Sequence, residues 1–259
     1  METFPNKITL NLDDDSEVSV KGFIAPIEYT GSNFHVEWDA LANLRVAEPE
    51  KQYAASVFLA FLPHVHVSVG ELWQIEQDGV LKLLKQLHPD PHLNMRDRGD
   101  SEGLWACLRA CNDRLADIVF RIHAEFTLTD GWFTPSQFAG HLVIDRIEER
   151  VVFFKMHVPE GTLNFDVNWK IDKDDPGFFT DSGFCPRMEL RAGTEDVVQD
   201  TEFTEAISQE EAEHKMILRF YEWQRINWVP VDKALERAQV QQKPIHAISV
   251  DGPLADESC

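Results

Sequence analysis

A chain of 259 residues with 43% hydrophobic content can bury one large core or two smaller ones, which excludes a disordered protein. Its 45 acidic residues against 24 basic ones give a formal charge of −21, which argues against nucleic acid or an anionic membrane as partner. The longest apolar stretch, "AASVFLAFLPHVHVSV", is broken by Pro63, His64 and His66 and is too short to span a bilayer. The N-terminal "METFPNKITLNLDDD" lacks the basic and apolar pattern of a secretory signal, so a cytoplasmic location is expected.

The first third opens with "KITLNL" and "EVSVKGF", whose alternation predicts half-buried strands. "NFHVEWDALANLRV" reads as a strand running into a short helix. "VGELWQIEQDGVLKLLKQLHP" reads as one helix, with Leu72, Ile75, Val80, Leu83, Leu84 and Leu87 at helical spacing, Gly79 weakening its middle and Pro89 after its end. A polar, turn-rich loop follows, "HPDPHLNMRDRGDSEG". "SEGLWACLRACNDRL" then predicts a second helix, with Cys107 and Cys111 four apart on one face.

From about residue 116 the period changes to two. "DIVFRIHAEFTL" alternates Val119, Arg121, His123 and Glu125 against Phe120, Ile122, Ala124 and Phe126. "GHLVIDRIEERVVFFKMHVP" reads as two strands joined at Glu148-Glu149-Arg150, "LNFDVNWKI" and "PRMELRAG" as two more. A largely antiparallel sheet over 116–193 is expected. "QEEAEHKMILRFYEWQRI" is an amphipathic helix. "PVDKALERAQVQQ" is another, with apolar Val231, Ala234, Leu235, Ala238 and Val240, and a buried strand is expected at Ile245–Val250. The expected fold is α+β, in three parts: an N-terminal α+β region over 1–112, a β-rich region over 113–222, and the start of a thioredoxin-like segment over 223–259.

Four cysteines in this length make no disulfide framework. Cys107 and Cys111 read as core thiols without a CxxC partner, and Cys185, in a turn before a strand, as packing. His64 and His66, with His88 and His92, have the residue types of a zinc site, but nothing in their spacing fixes them near one another, and no metal or cofactor is expected. A polar row of Arg121, His123 and Glu125 reads as a solvated or interdomain face, with the floor of a cleft as the alternative. In "FTPSQFAGH", Pro135 suits a turn or helix start, with Phe133 and Phe138 as anchors.

The C-terminal order is helix, Lys-Pro, strand, acidic loop and cysteine. "KPIHAISVDGPLADESC" resembles the stretch of the selenoprotein N family just before its Ser-Cys-selenocysteine-Gly motif. "DIVFRIHAEFTL", "WFTPSQFAGHLVI", "LNFDVNW" and "PRMEL" resemble the family's central region in the same order, so the likeness runs over about 113–259. The resemblance implies that Ser258 and Cys259 are the first half of the redox motif and that selenocysteine follows, its UGA codon read as a stop or the chain cut there. It implies a thiol/selenol oxidoreductase acting on disulfides or peroxides, with a protein or small-molecule redox substrate. The selenol would be the nucleophile and Cys259 the resolving thiol; alone, beside Asp256 and Glu257, Cys259 is expected to be nearly inactive. A non-catalytic binding or scaffold protein with a β-rich recognition body is the alternative. An unsheltered strand at Ile245–Val250 leaves dimerisation through its edge open. Animal members of the family carry a membrane anchor and a calcium-binding EF-hand. Here the nearest candidate loop, "DDDSEVSVKGFI" from Asp13, has Asp13, Asp15 and Glu17 at the first three ligand positions. Val18 and Ile24 replace the required glycine and glutamate, so no calcium site is expected.

Overall fold

A computed structural model describes residues 7–13, 16–93, 103–170, 177–220 and 229–247. In chain order the elements are β1 (Glu17–Ile24), β2 (Tyr29–Thr30), α1 (Phe34–Glu37), α2 (Asp39–Ala42), β3 (Glu50–Ala54), a 3₁₀ helix (Ala55–Phe61), β4 (Leu72–Gln74) and α3 (Gln77–Leu87). Then come β5 (Pro91–His92), β6 (Leu104–Cys111), β7 (Leu115–Ile122), β8 (Glu125–Leu128), β9 (Gly131–Pro135), β10 (Phe138–Asp145) and β11 (Arg150–His157). The remainder is β12 (Phe165–Trp169), β13 (Phe179–Phe184), β14 (Met188–Ala192), α4 (Asp196–Gln199), β15 (Glu205–Ala206), α5 (Gln209–Phe220) and α6 (Val231–Gln241).

The strands form two sheets. The larger has nine strands in the order β15-β6-β7-β10-β11-β14-β1-β3, with β4 also pairing β6. The smaller has six, β2-β13-β12-β9-β8-β5. The central hairpin is β10–β11, turning at Glu149, whose φ of 47° is left-handed. Strands from the first 112 residues enter the same sheet, since β1 lies between β14 and β3. Alternation explains the layering. Phe120, Ile122, Leu142, Ile144, Phe154 and Met156 point to one side and join the main core. The 3₁₀ helix covers them, with Phe61 against Phe120 at 4.8 Å and Phe58 against Phe154 at 5.1 Å between ring centroids. Phe126 of the small sheet meets Phe138 of the large one edge-on at 6.2 Å, so the aromatic core is continuous across both. Each such ring contributes roughly 1.5–3 kcal/mol by leaving water.

Five sequence expectations are corrected. "LWACLRAC" is a strand, β6, not a helix: the run is apolar on both faces and pairs with β4, β7 and β15. A short run of this kind has no period that separates buried strand from buried helix, and here available edges decide it. The helix expected from Val69 begins only at Gln77, because Leu72–Gln74 is recruited as β4 onto β6, with Trp73 Nε1 donating to the Phe61 carbonyl at 2.9 Å. Gly79 is required rather than a weakness. A Cβ there would lie 2.4 Å from the Val57 carbonyl oxygen and from Ala60 Cβ, so glycine permits the contact of α3 with the 3₁₀ helix. "KITLNL" supplies only an isolated bridge, Ile8 to Val67, and "NFHVEW" supplies α1 in place of a strand.

At the other end α6 forms as expected, but it buries none of its residues: Val231, Leu235 and Val240 are 84%, 64% and 80% exposed. Residues 245–247 of the expected last strand are not in a strand, and Ile245 is 48% exposed; 248–250 lie outside the described residues. Among the described residues no helix is long and apolar enough to cross a membrane.

Candidate functional site

The side of the large sheet that faces away from the main core carries charge. Its geometry begins with an irregularity: the β6–β7 register shifts between Leu108 and Ala110, so Arg109 bulges out of the ladder. Bulges re-aim side chains. This one turns Arg109 Nε onto the carboxylate of Asp117, which is fully buried on β7. The second carboxylate oxygen takes His141 Nδ1 of β10 at 3.0 Å. The guanidinium also lies over the Phe203 ring at 5.3 Å. A buried carboxylate needs such partners, because an unpaired charge in a dry interior costs several kcal/mol.

Further along the same face, Arg121 donates from Nε to His123 Nε2 at 3.4 Å, and both are buried. The expectation of a solvated row at Arg121 and His123 is therefore corrected: both side chains are covered on this face of the sheet. Glu125, beyond the end of β7, is partly exposed on β8. His157 of β11 stands between Ala139 and Glu189 in the ladder. Burial pushes its pKa down to about 4, Lys155 and His141 add repulsion, and Glu189 opposes them.

Only part of this face is covered. Ala212 and Met216 of α5 pack on Cys107 and Val119, forming a small second core. Cys107 is buried there, and burial pushes its thiol up to about 11, against a lesser pull from Lys215. The bulge also separates the two thiols expected on one face: Cys107 faces α5, and Cys111 faces the main core with its pKa raised by burial. Cys185 sits between β13 and β14, where Asn164 clamps its backbone by two hydrogen bonds of 2.8 and 2.9 Å; burial raises its thiol as well. All three are buried packing thiols, as the sequence suggested, and none is a ready thiolate. Ser258 and Cys259, the expected redox residues, lie outside the described residues.

The histidines are dispersed. His64 pairs with Glu76 at 2.7 Å, His66 Nδ1 with Thr9 at 2.7 Å, and His92 with Asp90 at 3.4 Å. Among the described residues no group of three or more His, Cys, Asp or Glu is placed to hold a metal ion. In the calcium-loop candidate, Val18 and Ile24 are buried points of β1, and the Asp13 carbonyl accepts from Ser16 in the turn before it. Asp15 lies outside the described residues. "FTPSQFAGH" is the crossing from β9 of the small sheet to β10 of the large one. Phe133 and Phe138 are its buried anchors, and Ser136 and Gln137 form the bend.

What sequence reasoning missed is the Arg109–Asp117–His141 set and His157. The visible signal was an aspartate and a histidine inside strand patterns, at positions where the alternation calls for an inward or interfacial residue.

No model of a known protein family matches the chain, and no solved structure matches it. Curated relatives do. Selenoprotein N of Danio rerio is 33% identical over 209 residues, which cover 68% of this chain and 37% of the relative. Selenoprotein N of Mus musculus and of Homo sapiens are each 28% identical over 280 residues, covering 85% of this chain and 50% and 47% of the relatives. An alignment over 85% of the chain reaches into the first 112 residues, beyond the span where the quoted strings lie. The chain spans half or less of the length of these relatives. By this likeness, and by the strings of β7 to β14 that carry it, the chain belongs to the selenoprotein N family.

Proposed function

We propose that the chain is part of a thiol/selenol oxidoreductase of the selenoprotein N type, with Cys259 as resolving thiol beside a selenocysteine nucleophile. The observation that carries this reading is the burial of Cys107, Cys111 and Cys185, each with a raised pKa. Thiol chemistry in a member of this family then falls to Cys259 and the position that the family motif places after it. In the reaction, the selenolate attacks one sulfur of a substrate disulfide. An Se–S bond forms, the S–S bond breaks, and the departing thiolate takes a proton from solvent. The Cys259 thiolate next attacks selenium through the sulfur–selenium exchange that gives an internal Se–S bond, releasing the second substrate thiol. The substrate gains two electrons and the pair loses two, which an external dithiol restores. Three free buried thiols accord with a reducing compartment, so the reading includes a cytoplasmic location.

The test has two arms. Alkylation of the native protein followed by mass spectrometry should modify Cys259 and spare Cys107, Cys111 and Cys185; preferential modification of any of those three overturns the assignment. Protein read through a UGA after codon 259 should reduce a disulfide substrate, and Cys259→Ser should lower that rate at least a hundredfold. An in-frame UAA or UAG, or selenium-containing protein without turnover, would leave the second reading. That reading is a binding protein, which the charged open face of the large sheet favours.

A further inference from the structure

The open face of the large sheet has a row of basic residues that cross-strand pairing brings together from distant parts of the chain. His141 of β10 is opposite Lys155 of β11, Lys155 is opposite Arg191 of β14, and Arg191 is opposite Lys21 of β1. Neighbouring strands lie ~4.8 Å apart, so three fixed positive charges stand side by side. Like charges directly opposite are unfavourable in a sheet. Compensation is partial. Glu195 reaches Lys155 at 3.6 Å and Arg191 at 3.7 Å, while Lys21 has no ion pair among the described residues. Glu50, opposite Lys21 on its other side, instead accepts from the Ser19 hydroxyl at 3.0 Å.

At the β1–β14 end of this row is a cavity of about 530 Å³, whose lining includes Ser19, Lys21, Phe23, Arg187 and Arg191, with Glu189 as its one carboxylate. Arg187 is held by Glu189 and lies over the Phe23 ring at 4.7 Å; Arg191 lies over Phe153 at 5.8 Å. Two guanidinium forks are thus oriented by rings, with an uncommitted ammonium between strands. Guanidinium forks match tetrahedral oxyanions through paired N–H donors. We propose that this cavity binds a small phosphate-bearing anion, with Lys21 and Arg191 as its principal ligands and Arg187 at its rim.

The size of the ligand follows from the net charge. At −21 the chain as a whole repels polyanions such as nucleic acid or an anionic membrane. Over a Debye length of about 10 Å a small anion senses the local groups, where Lys21, Lys155, Arg187 and Arg191 face Glu50, Glu189 and Glu195, and Lys21 is the cation left without an ion pair among the described residues. The volume is within the range of small-molecule sites. The inference stands on the sheet register and the cavity, independently of the redox reading.

The experiment is calorimetric titration of the whole chain with pyrophosphate and with inorganic phosphate at fixed ionic strength, against Lys21→Gln and Arg191→Gln. Binding should be saturable, and each substitution should weaken it at least tenfold. Lys21→Gln should also fold at least as stably as the parent without anion, because it removes a like-charge opposition. Thermal unfolding with and without pyrophosphate should show an upward shift in the parent only. Equal affinity in parent and both variants, a response that sodium chloride reproduces, or tighter binding of single-stranded DNA than of pyrophosphate would each overturn the proposal.

Discussion

His157 makes the fold sensitive to mild acid, and the size of the effect can be worked out. Its ring is half-buried on β11 with Nδ1 shielded from solvent, and its pKa falls to about 4 from 6.5, with desolvation the largest cause. Above pH 6.5 the ring is neutral in both the folded and unfolded chain, so it contributes no penalty. As pH falls through 6.5 the unfolded chain takes up a proton that the folded one refuses until about pH 4. Stability therefore declines with falling pH across that window and levels off below it. Linkage gives a loss of about 2 kcal/mol by pH 5 and about 3 kcal/mol below pH 4. Solvent reaching the exposed part of the ring lowers the pH 5 figure to between ~1 and ~2 kcal/mol. The perturbation is His157→Gln, which keeps a polar side chain of similar reach and removes the titration. Urea unfolding at pH 7.5 and pH 5.0, in parent and variant, isolates the term, because the neighbouring Lys155, Glu189 and His141 are present in both. The parent should lose between ~1 and ~2 kcal/mol more than His157→Gln on acidification. Parallel losses in the two proteins would falsify the assignment of a buried neutral ring.

Other outcomes follow from single contacts. Asp117→Asn leaves Arg109 and His141 without their buried counter-charge and should cost about 3–5 kcal/mol, read by urea unfolding; a double replacement, Arg109→Leu with Asp117→Leu, should recover most of it. Gly140→Ala places a Cβ 2.0 Å from the Lys155 carbonyl oxygen and 2.4 Å from Phe120 Cζ, and should cost at least about 1–3 kcal/mol, read as a lowered thermal midpoint. Calcium titration should show no submicromolar site lost on Asp13→Ala, since Val18 and Ile24 are core positions of β1.

β7, β8, β10, β11, β12 and β14 were legible because their period is two, whereas β9, where Pro135 suggested a turn or helix start, and β13, in a stretch read as a turn, were not. The β10–β11 hairpin falls where Glu148-Glu149-Arg150 breaks the pattern, and β12 and β14 match their strings. The first 112 residues were read less well for a physical reason. β4 has only three residues and β6 is apolar on both faces, and what makes them strands is each other's edge, together with β7 and β15. That information is absent from a local window. The thiols show the same limit: Cys107 and Cys111 are separated onto two faces by a bulge that only the β6–β7 register reveals. Burial of Arg121 and His123 was equally non-local, because alternation gives the face a residue points to and not whether that face is covered.

The cation row extends that point from fold to function. Residues 21, 155 and 191 are far apart in sequence, and each alone reads as an ordinary outward-facing strand position. Register makes them neighbours, and each like-charge opposition then costs roughly 0.2–1 kcal/mol relative to neutral pairs. The surrounding charge of −21 lowers that cost, since each cation also feels the acidic background. The same background turns away large polyanions. An acidic chain is therefore the setting in which a basic strip is both affordable to the fold and selective for a small anion, and replacing Lys21 should relieve the first effect while removing the second.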